Sequence, residues 1–190
     1  MSQSDTSLTL QVHDELTARI EPGDWVVDAT SGNGHDSVFL ARRIGGTGRV
    51  FCLDIQRSAL EITRKRLAEA DLSDQATLIQ CDHAHMQNHL PVLTNRRISA
   101  IVFNLGYLPG GDKSCTTASK SSILALDQSL KLLAPGGCIS ILAYPGHRGG
   151  REECESIKTW ALQLPSDRYK TRIQIPAARV NPPEWILILF

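Results

Sequence analysis

The fold of this chain is decided by the stretch Asp24-Trp25-Val26-Val27-Asp28-Ala29-Thr30-Ser31-Gly32-Asn33-Gly34-His35-Asp36. Its short apolar run follows a Pro22-Gly23 turn and predicts a buried strand. Gly32 and Gly34 then allow a tight turn, from which we expect a helix at about 35–44. The stretch therefore predicts a strand–turn–helix unit, the first step of an α/β sheet.

The same alternation of apolar runs and helical patterns continues along the chain. Further strands are predicted at 49–54, 76–81, 98–104 and 138–144, and helices at 57–70, 84–93, 118–133 and 151–163. Two final apolar runs, 169–175 and 184–190, have no helix between them. We therefore expect a Rossmann-like, mostly parallel, seven-stranded sheet with a C-terminal antiparallel strand and helices on both faces.

The N-terminal segment predicts one more helix, at about 7–20. Its apolar residues recur every four positions, at Leu8, Val12, Leu16 and Ile20. The length of 190 residues suits one domain over 1–190.

The composition excludes some classes of protein. The chain has 20 Lys+Arg and 20 Asp+Glu residues, so a histone-like nucleic-acid binder is excluded and an RNA partner needs a local patch. Its five cysteines form no CxxC pair, and no run approaches the roughly 20 apolar residues that span a bilayer. The start lacks a secretory signal pattern, so we expect a cytoplasmic protein with no membrane segment.

The glycine turn is expected to bind a nucleotide-containing cofactor, because ligands of open α/β sheets lie beyond the carboxyl ends of the strands. Asp54, twenty residues after Gly34, can accept hydrogen bonds from both ribose hydroxyls. Ser37 replaces the third glycine of a dinucleotide fingerprint. Asp28 would repel a pyrophosphate but attract the ammonium of an amino acid, which favours S-adenosylmethionine over NAD.

The order Asp-x-Thr-x-Gly-x-Gly from Asp28 resembles the first motif of class I methyltransferases, with Thr30 in place of a glycine. Asp82 resembles the methyltransferase residue that meets the adenine amino group. The resemblance implies S-adenosylmethionine as the cofactor. The cofactor-binding residues that we expect are Asp28, Thr30, Gly32, Asn33, Gly34, Asp36, Asp54, Gln56, Asp82, His83 and Asn104.

A closer resemblance begins at Phe103-Asn104-Leu105-Gly106-Tyr107-Leu108-Pro109-Gly110-Gly111-Asp112. With Asp54-Ile55-Gln56 and Tyr144-Pro145-Gly146-His147-Arg148-Gly149-Gly150, this decapeptide resembles the bacterial family labelled putative rRNA methylase. Members are reported to methylate 5-aminomethyl-2-thiouridine at the tRNA wobble position, which implies a tRNA anticodon loop as partner. One departure concerns the third strand, where His83 and His85 flank the place at which the family has a single histidine.

Asn104-Leu105-Gly106-Tyr107 lies where many N-methyltransferases have an Asn/Asp-Pro-Pro-Tyr/Phe motif. We expect Asn104 to accept a hydrogen bond from the target amine and Tyr107 to stack on a flipped-out base, worth about 1–3 kcal/mol. Gly106 is small enough to let that nucleotide approach. An Asn-initiated turn with Tyr107 on its rim is the alternative.

His147 is the expected proton acceptor, since an imidazole titrates near neutral pH, and Asp112 is its rival. Arg148 and Arg151 would hold RNA phosphates or form a solvated face. A homodimer would supply further surface for the tRNA.

Other interpretations of these residues stay open. Cys81, His83, His85 and His89 match no usual zinc spacing, so we expect no metal site. The alternative functions are an rRNA or small-molecule methyltransferase, an NAD-dependent oxidoreductase and a non-catalytic RNA-binding module. Asp28 counts against NAD, and Asn104 with Tyr107 counts against a scaffold without activity.

Overall fold

The computed structural model describes residues 3–90, 98–106, 116–177 and 181–190, with side chains from residue 8 onward. The α-helices are α1 (Gln3–Thr17), α2 (His35–Ile44), α3 (Arg57–Glu69), α4 (Ser119–Leu132) and α5 (Gly150–Leu162). The strands are β1 (Trp25–Asp28), β2 (Arg49–Asp54), β3 (Ala76–Gln80), β4 (Ile98–Leu105), β5 (Leu133–Ala143), β6 (Lys170–Gln174) and β7 (Glu184–Leu189). Two short 3₁₀-helices span Ser73–Gln75 and His83–Asn88.

The strands form one seven-stranded sheet in the order β3-β2-β1-β4-β5-β7-β6. β7 is antiparallel to both of its neighbours, and the other pairs are parallel. The predicted fold class is therefore confirmed. The strand order reverses between β1 and β4, and such a switch point is where open α/β sheets bind their ligands.

Apolar side chains cover both faces of the sheet, which explains why β1 is apolar without alternation. One cluster joins Val27, Phe51 and Phe103 to residues of α4 and α5. The other joins Val26 and residues of α2 to the α1 residues Leu8, Val12 and Leu16 and to Ile20 after the helix, all at most 3% exposed. Burying an aliphatic side chain of this size stabilises the fold by about 1.5–3 kcal/mol, so α1 is firmly attached.

The N-terminal helix was predicted at about 7–20, but α1 begins at Gln3 and ends at Thr17. After Thr17 the chain forms a tight turn, in which the carbonyl of Leu16 accepts hydrogen bonds from the N–H groups of Arg19 and Ile20. Ile20 is thus buried from a turn rather than from the helix, because the Pro22-Gly23 turn that follows redirects the chain toward β1.

The predicted helix at 84–93 is wrong over its described part, where the chain forms the 3₁₀-helix His83–Asn88. The amide of Gln128 in α4 donates to the carbonyl of Ala84 and accepts from the N–H of Gln87 at 2.8 Å. His85 has a non-helical φ of −120°. A distant side chain therefore binds backbone groups that an α-helix would have paired internally.

The strand predicted at 138–144 begins earlier, since β5 starts at Leu133. The run 134–137, with its proline and two glycines, lies inside the strand as an irregularity where the pairing with β4 shifts register. The N–H of Gly136 donates to the carbonyl of Phe190 at 2.9 Å, and the N–H of Phe190 donates to Gly137 at 3.0 Å. The hydrogen bonds to Phe190 on one side, and the pairing of Leu133 with Ile98 of β4 on the other, thus extend the strand through residues that usually end a strand.

Candidate functional site

The glycine turn, residues 28–34, joins β1 to α2 at the carboxyl edge of the sheet. Gly32 and Gly34 have left-handed φ angles of +51° and +75°. A Cβ at position 34 would lie 2.8 Å from the Cα of Thr63, so α2 and α3 are too close there for any other residue. The turn therefore presents bare backbone at the switch point.

The glycine turn is held mainly through its own backbone. The carboxylate of Asp54 accepts from the N–H of Gly32 at 2.9 Å, and Thr63 Oγ1 donates to the Gly32 carbonyl at 3.1 Å. Arg66 Nε donates to the carbonyl of Asn33 at 2.8 Å. β2 and α3 thus fix the shape of the turn independently of most of its side chains.

Asp54 also binds the start of α3, since its other oxygen accepts from the N–H of Gln56 at 2.8 Å. An ionised carboxylate has about four acceptor positions, so each oxygen keeps a lone pair for a ligand hydroxyl. Ile55 is 55% exposed directly after it, and its aliphatic surface offers an apolar contact beside those hydroxyls. Sequence reasoning missed Ile55, although a large apolar residue after an acidic strand end was a visible signal.

Asp28 is fully buried behind the glycine turn. It accepts a hydrogen bond from Ser37 Oγ at 2.6 Å and a longer one, at 3.4 Å, from the N–H of Thr30. Burial, and then the nearby charge of Asp36, raise the pKa of Asp28 to about 7. A cationic ligand near this carboxyl would favour its ionised form, and an attraction of Asp28 for the ammonium of an amino acid is what the sequence predicts. Ser37, noted in the sequence only for its size, is its main partner.

The end of β3 supplies Asp82 and His83. Asp82 accepts from the N–H of Ala84 at 2.8 Å and caps the 3₁₀-helix. The ring of His83 meets Phe103 edge-on at 6.2 Å between centroids, and burial lowers its pKa. His83 Nε2 is buried and has no hydrogen-bond partner within the described part of the chain. His85 is exposed, so of the two flanking imidazoles it is His83 that turns inward.

Asn104, at the end of β4, is tied to the turn. Its backbone N–H donates to Thr30 Oγ1 at 2.7 Å, and its side-chain Nδ2 donates to Asp36 Oδ2 at 2.5 Å. Because a carboxylate oxygen only accepts, this second bond turns the amide nitrogen toward Asp36. The carbonyl oxygen of Asn104 therefore faces the other way, as an acceptor.

The second oxygen of Asp36 accepts from Nε2 of His13 at 2.7 Å. We call His13, Asp36 and Asn104 the Asn104 corner. Burial raises the pKa of Asp36, but the hydrogen bonds from His13 and Asn104 outweigh it and hold that pKa below its usual value. Asp36 was predicted as a cofactor contact; both of its oxygens have protein partners here. No local pattern pointed to His13, which lies on a different helix.

The segment after β5 brings His147 to the same edge of the sheet. His147 Nδ1 lies 3.0 Å from the carbonyl of Arg148, which can only accept, so Nδ1 carries the hydrogen. His147 Nε2 is buried, and a Cβ at position 150 would lie 2.8 Å from this atom. Gly106 lies beside Tyr144, so its small size also serves packing.

The remaining predicted residues are placed as follows. Arg148 is exposed, and Arg151 donates to Asn181 Oδ1 at 2.7 Å. Tyr107 and Asp112 lie outside the described residues, so their roles stay predictions.

Glu153 is a buried acidic residue that sequence reasoning missed. It is 1% exposed in the first turn of α5 and accepts from Thr117 Oγ1 at 2.7 Å and Ser122 Oγ at 2.6 Å. The N–H of Thr117 donates to the carbonyl of Gly106 at 3.0 Å. Through Glu153 and Thr117, α5 therefore holds the backbone of Gly106, two residues after Asn104.

Neither a metal centre nor a membrane segment is found among the described residues. No three His, Cys, Asp or Glu side chains there are grouped to hold a metal ion. Likewise, no helix in this part of the chain has the length and apolarity needed to cross a bilayer.

Comparison with families of known proteins gives one match to a family model. The model described as "Putative rRNA methylase" matches residues 50–189. A curated relative, the chloroplastic tRNA (mnm(5)s(2)U34)-methyltransferase of Arabidopsis thaliana, is 40% identical over 154 residues. The match covers 77% of this chain and 56% of the relative, so this chain spans little more than half of that protein's length.

Two solved structures resemble the whole fold. The structure described as a "putative rRNA-methylase" from Clostridium thermocellum has a TM-score of 0.89 at 37% identity, covering 94% of this chain and 95% of its own. The structure described as a "putative methyltransferase" from Streptococcus mutans in complex with SAH has a TM-score of 0.84 at 27% identity, covering 95% of this chain and 96% of its own.

Proposed function

The chain belongs to the putative rRNA methylase family of S-adenosylmethionine-dependent methyltransferases, and we propose that it transfers the methyl group to an amine of an RNA nucleotide. The observation that carries this proposal is the orientation of Asn104. Its backbone is bonded to Thr30 of the glycine turn, and its carbonyl oxygen is turned away from Asp36 as an acceptor for an N–H group. The cofactor side and the acceptor side of the reaction are thereby joined in one hydrogen-bonded unit.

The residues of the glycine turn and its neighbours fit S-adenosylmethionine, which supplies an activated methyl group when bound. Asp54 has lone pairs for two ribose hydroxyls, and a cationic ligand would favour the ionised form of buried Asp28. His83, whose buried Nε2 has no hydrogen-bond partner among the described residues, would bind the adenine of the cofactor together with Asp82. Each fit depends on a feature of this chain's own residues.

The finer proposal is that the acceptor is the aminomethyl group of 5-aminomethyl-2-thiouridine at the wobble position of tRNA. The name of the Arabidopsis relative refers to this nucleotide, and that relative is 40% identical to this chain. The zero net charge suits a short single-stranded target such as an anticodon loop, where base stacking replaces many phosphate contacts.

The chemistry requires the amine to be neutral when it attacks. An alkylamine has a pKa near that of lysine, about 10.4, so it is mostly protonated at pH 7. His147, the predicted proton acceptor, would take up the proton, while Asn104 accepts a hydrogen bond from the remaining N–H and so directs the nitrogen lone pair toward the methyl group.

The direct test uses purified protein, S-adenosylmethionine and unmethylated tRNA that carries 5-aminomethyl-2-thiouridine. We expect 5-methylaminomethyl-2-thiouridine in the digested nucleosides, measured by mass spectrometry, and no product on tRNA that lacks the aminomethyl group. The family description makes rRNA the alternative substrate. Methylation of rRNA or of a free metabolite without tRNA product would contradict the finer proposal.

His147→Ala tests the proton acceptor. We expect kcat to fall about 100-fold at pH 7, and the deficit to shrink as the pH approaches the pKa of the amine, since solvent then removes the proton. His89→Ala, at an exposed histidine, is the matched control. A deficit that stays constant between pH 7 and 10 would assign His147 to structure instead.

A further inference from the structure

We propose that His13 is a positioning residue that acts through Asp36 to fix the direction in which the amide of Asn104 faces the acceptor amine. The inference rests on the proposed function, because it presumes that Asn104 binds that amine. It assigns to α1 a part in the reaction, although this helix contributes no residue to the glycine turn.

The ring of His13 is held in one orientation. It stacks on Phe39 with 3.9 Å between centroids and 3° between planes, and its Nε2 lies 2.7 Å from Asp36 Oδ1. Phe39 and Asp36 are three residues apart in α2, so they lie on one face of that helix. The α1 residues Leu8 and Leu16 are buried in the core and hold the helix that carries His13 in place.

The hydrogen bond from His13 also matters for the charge of Asp36. Asp36 interacts electrostatically with Asp28, and two nearby buried carboxylates cannot both ionise without a large cost. Hydrogen bonds from His13 and Asn104 favour the ionised form of Asp36, while burial and then the charge of Asp36 raise the pKa of Asp28 to about 7. His13 therefore helps decide which of the two carries the charge.

The charge of Asp36 in turn sets the direction of the Asn104 amide. An ionised Asp36 can only accept, so it binds the Asn104 nitrogen and leaves the oxygen for the substrate. A protonated Asp36 could donate to the Asn104 oxygen, which would let the amide rotate by half a turn. The amide nitrogen would then donate to the lone pair of the substrate amine and block its attack on the methyl group.

The kinetic test compares three variants of the full chain in tRNA methylation. We expect His13→Ala to lower kcat by about 10- to 100-fold, as small misplacements of a reacting group do, with little change in cofactor Kd. His13→Gln should recover most of the activity, because its amide nitrogen can donate to Asp36. Val12→Ala loosens the packing of α1 without touching Asp36, so it should lower Tm and leave kcat unchanged well below Tm.

A second readout does not depend on the RNA substrate. The side-chain amide signal of Asn104 in ¹⁵N-labelled protein is identified by its loss in Asn104→Ala. We expect this signal to move in His13→Ala, and to stay near its wild-type position in His13→Gln and Val12→Ala. An unmoved signal in His13→Ala would overturn the inference, as would unchanged kcat in that variant. A wild-type protein inactive on tRNA would refute the proposed function instead, and the amide signal would still decide the role of His13.

Discussion

The glycine turn and the Asn104 corner lie at the same edge of the sheet but are held in different ways. The turn is fixed through its backbone, by hydrogen bonds at Gly32 and Asn33 from β2 and α3. The corner depends on single side-chain bonds between residues 23 and 68 positions apart. The residues of the turn, which we propose bind the cofactor, therefore form a contiguous motif, whereas those of the corner, which we propose face the acceptor, come from three separate elements. Changes in the turn should affect binding, and changes in the corner should affect the rate.

The largest effect should come from Asn104→Ala. We expect kcat to fall at least about 100-fold, because the variant removes the group that directs the amine, while the Kd for S-adenosylmethionine stays within about threefold. Single-turnover kinetics and calorimetry measure the two quantities. Asn88→Ala, at an exposed asparagine, is the control. Losses of equal size in both assays would show that the two regions are one structural unit.

Asp54→Ala should produce the opposite pattern with a smaller effect. We expect cofactor affinity to fall more than about 10-fold in calorimetry, since hydrogen bonds to a charged acceptor and the support of Gly32 are lost together. The cofactor affinity of Asp54→Asn, which keeps one acceptor oxygen, should lie between those of Asp54→Ala and wild type. Unchanged affinity in Asp54→Ala, or tight binding of NAD by wild type, would refute the assignment of the turn.

The smallest effect concerns the stability of the ligand-free protein. The folded-state pKa of Asp28, about 7, lies above the ordinary value of 3.8, because burial and then Asp36 disfavour its charge. Its contribution to stability is therefore fully present below about pH 4 and is lost as the pH rises through 7. Asp28→Asn keeps the site neutral, so we expect its Tm relative to wild type to be a few degrees higher at pH 8 than at pH 5.

Thermal unfolding at both pH values checks this expectation, and Asp167→Asn at an exposed aspartate is its control. A Tm difference for Asp28→Asn that does not change with pH would mean that Asp28 is ionised throughout this range in the folded protein.

Local signals predicted most of the fold. The bounds of α2 and β2 agree with the sequence prediction because apolar periodicity and flanking glycines act within a few residues. The conformation of 84–90, the described part of the predicted helix, could not be predicted, because the amide of Gln128, about forty residues away, replaces the pairing of a helix. The early start of β5 likewise depends on β4 and on Phe190.

The residues of the candidate site also differ in whether local sequence signals could predict them. Asp54 and the two glycines belong to a motif with fixed spacing, so they were predictable. His13 and Glu153 have no motif, and their partners come from other helices. The raised pKa of Asp28 was also beyond sequence reasoning, because burial is a property of the assembled core.

The strand order has a consequence for how the chain folds. β1 pairs early with β2, its neighbour in sequence, but its other neighbour is β4, which is reached only after α3 and β3. Contacts between such distant segments form slowly, because a long loop must close first. Until Ile98–Leu105 arrives, the β1 backbone that later meets β4 is an open strand edge, able to pair with another chain. The β1 edge that pairs with β4 in the native protein is thus an aggregation-prone surface of the nascent one.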